Sequence, residues 1–413
     1  MTSRLAIDGG APIRERPLPT PPREVGEPEL ALLREVIESG IMNRMMGTKV
    51  AQFEQEFAAF YRMPFAVAST SGTAAIHVAI GALDPDPGSE IVTSPITDLG
   101  TIIPILAQNC IPVFADVDLD SMNMDPADLA RRITDRTCAI LPVHLGGCPC
   151  DMDPILAVAE KHGLPVVEDC SQAYCAEYRG RWVGTMGRLG CFSLQQSKHI
   201  TTGDGGITIT ADEALADRAR KFARKGMPVY SADGSRHYHH FGFNYSMTEL
   251  QGAVALAQLQ RLPTICERRT AHGELLTRLT SGLPGFYPQR VPEGARSTYW
   301  FFAARIVEAE AGCSPRRFAE AMRAEGIPTG AHYIGRPIFL YESIRRKQVY
   351  GRSHYPWDLQ DPAHAVRYEE GECPNCERVL AEMVTLPIHE KFTEADVRDI
   401  AAAVEKVISA HQR

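Results

Sequence analysis

No stretch of the chain approaches the roughly 18–20 consecutive apolar residues that a membrane span needs, although 44% of its residues are hydrophobic. The opening Met-Thr-Ser-Arg-Leu-Ala-Ile-Asp lacks the apolar core of a secretion signal. Positive charge is in deficit, with 43 Lys and Arg against 51 Asp and Glu, a formal net charge of −8. That balance gives no general pull toward nucleic acid or an anionic membrane. Short basic clusters such as Arg345-Arg346-Lys347 read as solvated faces. The eleven cysteines are odd in number and scattered over 413 residues, so a disulfide framework is not expected. The protein reads as cytoplasmic with reduced thiols. Cys148-Pro-Cys150 and Cys373-Pro-Asn-Cys376 offer four thiols, but the first spacing is too short for a zinc knuckle, and turns carrying idle thiols are expected instead of a metal site.

From about residue 64 to 210, short apolar runs alternate with helical patterns. Phe65–Ala68, Glu90–Ser94, Val113–Asp116, Ala139–Val143, Pro165–Glu168 and Gly190–Leu194 read as strands covered on both faces. Thr73–Leu83, Thr101–Asn109, Pro126–Ile133 and Met152–His162 read as the helices between them. This alternation predicts an α/β fold with a mainly parallel central sheet sandwiched by helices, whose ligands bind beyond the carboxyl ends of the strands. A Pro-rich arm (Pro17, Pro19, Pro21, Pro22) and helices near Glu27–Ser39 and Val50–Arg62 precede it. A long helix from Glu249 to about Leu279 links it to a new alternating pattern. The expected division is a large domain of residues 1–265 and a smaller α+β domain of 266–413. The closing helix, Thr393–Ala410, carries a Thr393-x-x-Asp396 capping box. Residues 340–372 show no period and are rich in Arg, Tyr, His and Pro, including Arg345, Tyr350, His354 and Trp357. A long irregular segment of this kind predicts part of a substrate pocket, with a surface excursion as the alternative.

Three features carry chemistry. Lys198 stands just after an apolar strand on a Gly-rich turn, Lys198-His-Ile-Thr-Thr-Gly-Asp-Gly-Gly. An amine in such a place is a usable nucleophile toward an aldehyde, although most such lysines are surface groups. Asp169 ends another apolar strand, in Glu168-Asp169-Cys-Ser-Gln172. It suits the pyridinium nitrogen of pyridoxal 5′-phosphate (PLP), with Gln172 facing the phenolic oxygen; the alternative is an Asp that caps a turn. Ser69-Thr-Ser-Gly72-Thr73 opens a helix directly after a strand, which makes an anion site or a plain N-cap. The order anion site, Asp, Lys on one sheet favours the first reading of each.

With Ser71-Gly72-Thr73-Ala-Ala, Glu168-Asp169-x-x-Gln172, Ser193-x4-Lys198-x4-Gly-Asp-Gly-Gly and Asn244-Tyr-x-Met-Thr-Glu-Leu-Gln251 in place, the chain resembles the DegT/DnrJ/StrS family of PLP-dependent sugar and cyclitol aminotransferases. The resemblance runs over nearly its whole length and implies PLP-dependent transferase fold type I. It implies that Lys198 holds PLP as a Schiff base and shuttles a proton, and that Asp169 binds the ring nitrogen. Gln172 would sit by the ring oxygen, and Gly72, Thr73 and Ser193 would hold the phosphate. Asn244 would reach the partner subunit's cofactor, so a homodimer is implied.

The reaction implied is transfer of an amino group from glutamate or glutamine to a keto-sugar or keto-cyclitol. The opening segment and the Gln-Gln-Ser-Lys198 context look closer to the cyclitol branch. A dehydratase-type relative, in which His replaces the Lys, and a PLP-binding regulatory protein without turnover are the alternatives; Lys198 favours transamination, with His199 only beside it. Two positions depart from the pattern. Thr97-Asp98-Leu-Gly-Thr101 has Asp98 where members often carry a ring-stacking aromatic, which makes Asp98 a candidate substrate contact. Ser246 stands where many members carry Arg, which leaves the donor open between glutamate and glutamine. His332 and Tyr333 are further candidates for the substrate pocket.

Overall fold

The computed structural model describes residues 4–16, 18, 24–226, 233–238 and 241–412. The four prolines of the N-terminal arm lie outside the described residues. Seven strands form the central layer: β1 (Phe65–Ser69), β2 (Glu90–Thr93), β3 (Ile111–Phe114), β4 (Thr137–Leu141), β5 (Val167–Asp169), β6 (Leu189–Ser193) and β7 (Gly206–Thr210). One block runs β1-β7-β6-β5 and another β4-β2-β3. Parallel bridges Ile140–Val166 and Val143–Asp169 join them. Every pairing is parallel except those of β7, which runs against both β1 and β6.

Side chains alternate across this sheet as the pleat requires. On β6, Leu189 and Cys191 face a core shared with helix α3 (Gly72–Leu83), which follows α1 (Glu27–Ser39) and α2 (Lys49–Phe60), whereas Phe192 faces the opposite core with Phe57, Leu256 and Leu262. Strands buried on both faces need no polar alternation, which is why these runs read as continuous apolar sequence. Each large side chain fully buried in these layers contributes about 2 kcal/mol through the hydrophobic effect.

The expected Val113–Asp116 strand begins and ends two residues earlier. Asp116 leaves the sheet to accept backbone N–H groups of Asn375 and Cys376 at the start of helix Pro374–Glu382. The thiol of Cys150 faces the Val143 carbonyl and that of Cys373 the Phe114 carbonyl, so both expected cysteine turns pack against backbone.

The helix Glu249–Thr280 spans 32 residues behind a Thr248/Gln251 capping box. Beyond it, β8 (Phe286–Pro288), β9 (Phe302–Ile306), β10 (Gly330–Ala331) and β11 (Met383–Leu386) form an antiparallel sheet in the order β8-β9-β11-β10. Its core includes Phe302, Phe318 and Val404, and also Leu5 and Leu18 from the N-terminus. Buried Glu325 fastens that segment, accepting from Ala6 N–H, Ile13 N–H and Lys406 Nζ at 2.8, 2.9 and 2.7 Å.

Candidate active site

A cavity of about 390 Å³ opens at the carboxyl ends of β1, β5 and β6. Ser71, just past β1, caps α3 by accepting from Ala74 N–H at 3.0 Å. The next two residues, Gly72 and Thr73, line the cavity with the first turn of the helix. Their N–H groups have no intrahelical acceptor, and the helix dipole adds partial positive charge there. Gly72 is required by close approach, because a Cβ would stand 2.5 Å from Ser193 Cβ. The glycine thus brings the helix start against β6, and Ser193 joins the same wall.

Asp169 arrives on β5, nearly buried at 4% exposure. Its Oδ1 accepts from Ser171 N–H at 3.0 Å, and the Thr101 hydroxyl donates to Oδ2 at 2.8 Å. Behind it, fully buried Glu168 accepts from the N–H groups of Gly184, Met186 and Gly187 at 2.7, 2.8 and 2.6 Å. His144 completes this shell. Its Nδ1 accepts from Cys150 N–H, which leaves Nε2–H to donate to Glu168 at 3.1 Å. The paired carboxylates have separate work: Glu168 anchors the end of β5 and Asp169 faces the cavity.

Gln172 Oε1 accepts from Gly146 N–H at 2.8 Å, so its amide nitrogen is available to Tyr333, with which it hydrogen-bonds. Burial pushes the Tyr333 phenol well up, with the charges of Asp98 and Asp169 adding to the rise against the Gln172 bond. His332 and Tyr333 both adopt left-handed backbone, with φ of 66° and 43°. That reversal separates them: Tyr333 lines the cavity, whereas His332 hydrogen-bonds the Leu380 carbonyl at 3.2 Å and does not.

Residues 194–205 loop out between β6 and β7 and carry Lys198. The half-buried Lys198 has its Nζ 3.7 Å from the centroid of the Trp300 ring, and Trp300 Nε1–H fastens to the Ser197 carbonyl at 2.7 Å. Asp98 also lines the cavity, its Oδ1 capping the helix Leu99–Ala107 through Gly100 N–H at 2.8 Å. The cavity therefore gathers Gly72, Thr73, Asp98, Asp169, Gln172, Ser193, Lys198 and Tyr333 of the residues expected from sequence.

Asn244 is elsewhere. It lines a second cavity of about 380 Å³ with Arg44, Arg224 and Ser246. Among the described residues of 340–372, none lines the Lys198 cavity, which favours the surface excursion over a substrate-binding stretch. Trp357 is buried against Tyr368 and Phe339. Gln360 binds Glu90 at the beginning of β2, the wrong end of the strand for the site. Apolar burial accounts for Trp357 and Tyr368, whereas Tyr341 and Tyr350 stay exposed. Trp300 and Thr101 were not singled out from sequence. The only signal for Trp300 was a tryptophan in a polar Ser-Thr-Tyr-Trp run just before a strand, and for Thr101 its place in the Thr97–Thr101 segment.

Comparison with known proteins agrees with this geometry. The chain is 34% identical over 392 residues to the spore coat polysaccharide biosynthesis protein SpsC of Bacillus subtilis, covering 93% of this chain and 95% of that one. It is 34% identical over 431 residues to the L-glutamine:2-deoxy-scyllo-inosose aminotransferase of Streptomyces paromomycinus, with coverage of 99% and 98%. The solved aminotransferase from Psychrobacter cryohalolentis superposes with a TM-score of 0.83 at 28% identity, covering 95% of this chain and all of that one. The family model for these enzymes matches residues 23–341 and 339–405. With a lysine, a buried aspartate and a helix start meeting at the strand ends of the same fold, the chain belongs to the DegT/DnrJ/EryC1/StrS aminotransferase family.

Proposed function

We propose that this aminotransferase uses PLP on Lys198 to move an amino group from glutamate or glutamine to a keto-sugar or keto-cyclitol, working as a cytoplasmic homodimer. The observation that carries the reading is the convergence of Lys198, Asp169 and the α3 start on one cavity. Members of the family are PLP-dependent in general, and the residues present fit that cofactor. The N–H groups of Gly72 and Thr73, with the Thr73 and Ser193 hydroxyls, suit a phosphate. Asp169, oriented by Thr101 and Ser171, suits a protonated ring nitrogen. The Gln172 amide nitrogen suits the phenolic oxygen.

When bound, PLP supplies an electron sink for the substrate carbon that carries nitrogen. Asp169 would hold a proton on the ring nitrogen, the state in which that sink works. Lys198 Nζ would hold the cofactor, and the same amine is placed to move a proton to and from the substrate carbon. Tyr333 and Trp300 line the same cavity as that amine. The reading as a dehydratase is disfavoured by His199, which is buried, hydrogen-bonds the Thr298 carbonyl at 3.1 Å and does not line the cavity.

The homodimer is supported by the setting of Asn244. Its cavity is flanked by Met42, 50% exposed, and nearby Met46, 75% exposed, an apolar rim suited to a second copy. We further propose that the domains divide near residue 265, inside the long helix, with residues 5–16 packed on the smaller unit. A panel of keto-sugar and keto-cyclitol acceptors, each with glutamate and glutamine, tests the reaction. Release of keto acid coupled to amine formation on one acceptor supports it. PLP binding with no turnover on any acceptor would favour a regulatory protein.

A further inference from the structure

We propose that Arg44 and Arg224 form the clamp for the amino donor's α-carboxylate, presented by each subunit to the Lys198 cavity of its partner. The inference rests on the homodimeric aminotransferase reading and assigns the donor half of that site. Glutamate and glutamine both bring an α-carboxylate, and the Lys198 cavity of one protomer is poorly suited to it. Asp98, Asp169 and Asp204 line that cavity, and among the described residues its one Lys or Arg is Lys198, which the reading commits to the cofactor. The Asn244 cavity, of about 380 Å³, has the opposite character. Arg44, Arg224 and Lys225 line it, with no Asp or Glu among the described residues.

Arg44 is set up for a ligand. Its side chain is only 8% exposed, and its Nη2 donates to Glu54 at 2.6 Å. Its Nη1 is buried and has no hydrogen-bond partner among the described residues. A buried, charged donor without an acceptor is unfavourable, so the second tooth of this fork calls for an anion. Arg224 lines the same cavity. It stands opposite Asn244 in an antiparallel bridge, and residues so paired carry their side chains on one face. Its Nη2 donates to the thioether of Met45, a weak acceptor on the residue next to Arg44. Two guanidinium groups on one cavity suit a carboxylate, which takes paired N–H donors. The cofactor's phosphate has its own donors at Gly72, Thr73 and Ser193, which leaves these arginines to the amino donor.

The plain alternative is that Arg44 serves only to hold Glu54, which itself accepts from Ala68 N–H on β1 at 2.7 Å. Arg44→Lys keeps a cation for Glu54 and loses the second tooth, and Arg224→Gln leaves that pair untouched. Sedimentation first establishes the dimer. Holoenzyme is then mixed with amino donor alone, and the change in cofactor absorbance is followed. Whichever of glutamate and glutamine reacts faster is compared with the amine that lacks its α-carboxylate, 4-aminobutyrate or 4-aminobutanamide. Each variant should raise the half-saturating donor concentration about tenfold, the scale of one charge-assisted hydrogen bond. The rate with the decarboxylated amine, the affinity for PLP and the melting temperature should stay as in the native protein. Mixed dimers of Arg44→Lys and Lys198→Ala subunits should regain native donor saturation, because one site in each then has both groups intact. Equal losses with the two amines, weakened PLP binding, or no recovery in the mixed dimers overturns the proposal. A monomer, or no reaction with either donor, removes the reading beneath it. A reacting dimer whose variants keep native donor saturation removes this inference alone.

Discussion

The oxygen of Thr101 donates its proton to Asp169 Oδ2 at 2.8 Å and lies 2.6 Å from the hydroxyl of Thr97. With its own proton committed to the carboxylate, Thr101 must accept from Thr97. The two threonines therefore form a buried, directed chain that ends on the aspartate. Asp169→Asn should keep PLP but lower turnover by orders of magnitude, because the charge that holds the ring proton is gone. Thr101→Val should lower turnover by about tenfold, the worth of one charge-assisted bond, and Thr101→Ser should restore it. Near-normal kcat in Asp169→Asn would remove the role assigned to it.

The purified protein should be yellow from bound PLP, and Lys198→Ala should abolish both turnover and that colour. Reduction of the native protein with borohydride should leave pyridoxyl mass on the peptide that contains Lys198. Mass on any other lysine would show that the cavity was misassigned.

His77 provides a pH dependence separate from catalysis. Burial in α3 lowers its imidazole to about 4, against an opposing hydrogen bond to Gln108. In the unfolded chain it titrates near 6.5, so the unfolded state binds more protons between those values. Stability should therefore be complete above about pH 6.5 and fall as pH drops toward 4, by up to about 3 kcal/mol from this group. His77→Gln should flatten the slope of melting temperature against pH in that window; an unaltered slope would assign acid sensitivity to other groups.

Trp357→Ala should cost about 3–5 kcal/mol of stability because Trp357 is packed with Tyr368 and its Nε1–H donates to the Tyr368 hydroxyl at 3.1 Å. The acceptor KM should not change. A raised KM with unaltered melting temperature would return this segment to the substrate pocket.

Much of the parallel layer was legible because each strand is buried on both faces and each helix is closed by local signals. Glu27–Ser39 and Met152–His162 coincide with their expected limits, both stopped by glycines at positive φ. β7 was not expected as a strand, since Gly206-Ile-Thr-Ile-Thr follows a glycine-rich run and its pairing to β1 is about 140 residues distant in sequence. The meeting of Asp169, Lys198 and Gly72 at one cavity was legible because each lies at a strand end or within five residues of one. Trp300 was not, because its place beside Lys198 depends on a hydrogen bond to Ser197 across some hundred residues. His332 and Tyr333 are neighbours in sequence, yet only their left-handed backbone decides which reaches the cavity.

The reversal of β7 has a consequence for how such enzymes can change. Gly206 pairs with Ser193 on one side and Ser69 on the other, so the segment carrying Lys198 starts and finishes on a single rung of the β6–β7 ladder. Leu194 and Gly205 clasp it at the neck through a 2.8 Å backbone bond. A crossover would have tied the lysine to a helix on the sheet face. Here the reactive residue rides on a closed loop with its own short tether, whose closure entropy changes only slowly with length. The loop can be lengthened, shortened or exchanged between relatives as a cassette while the strands beneath keep their register.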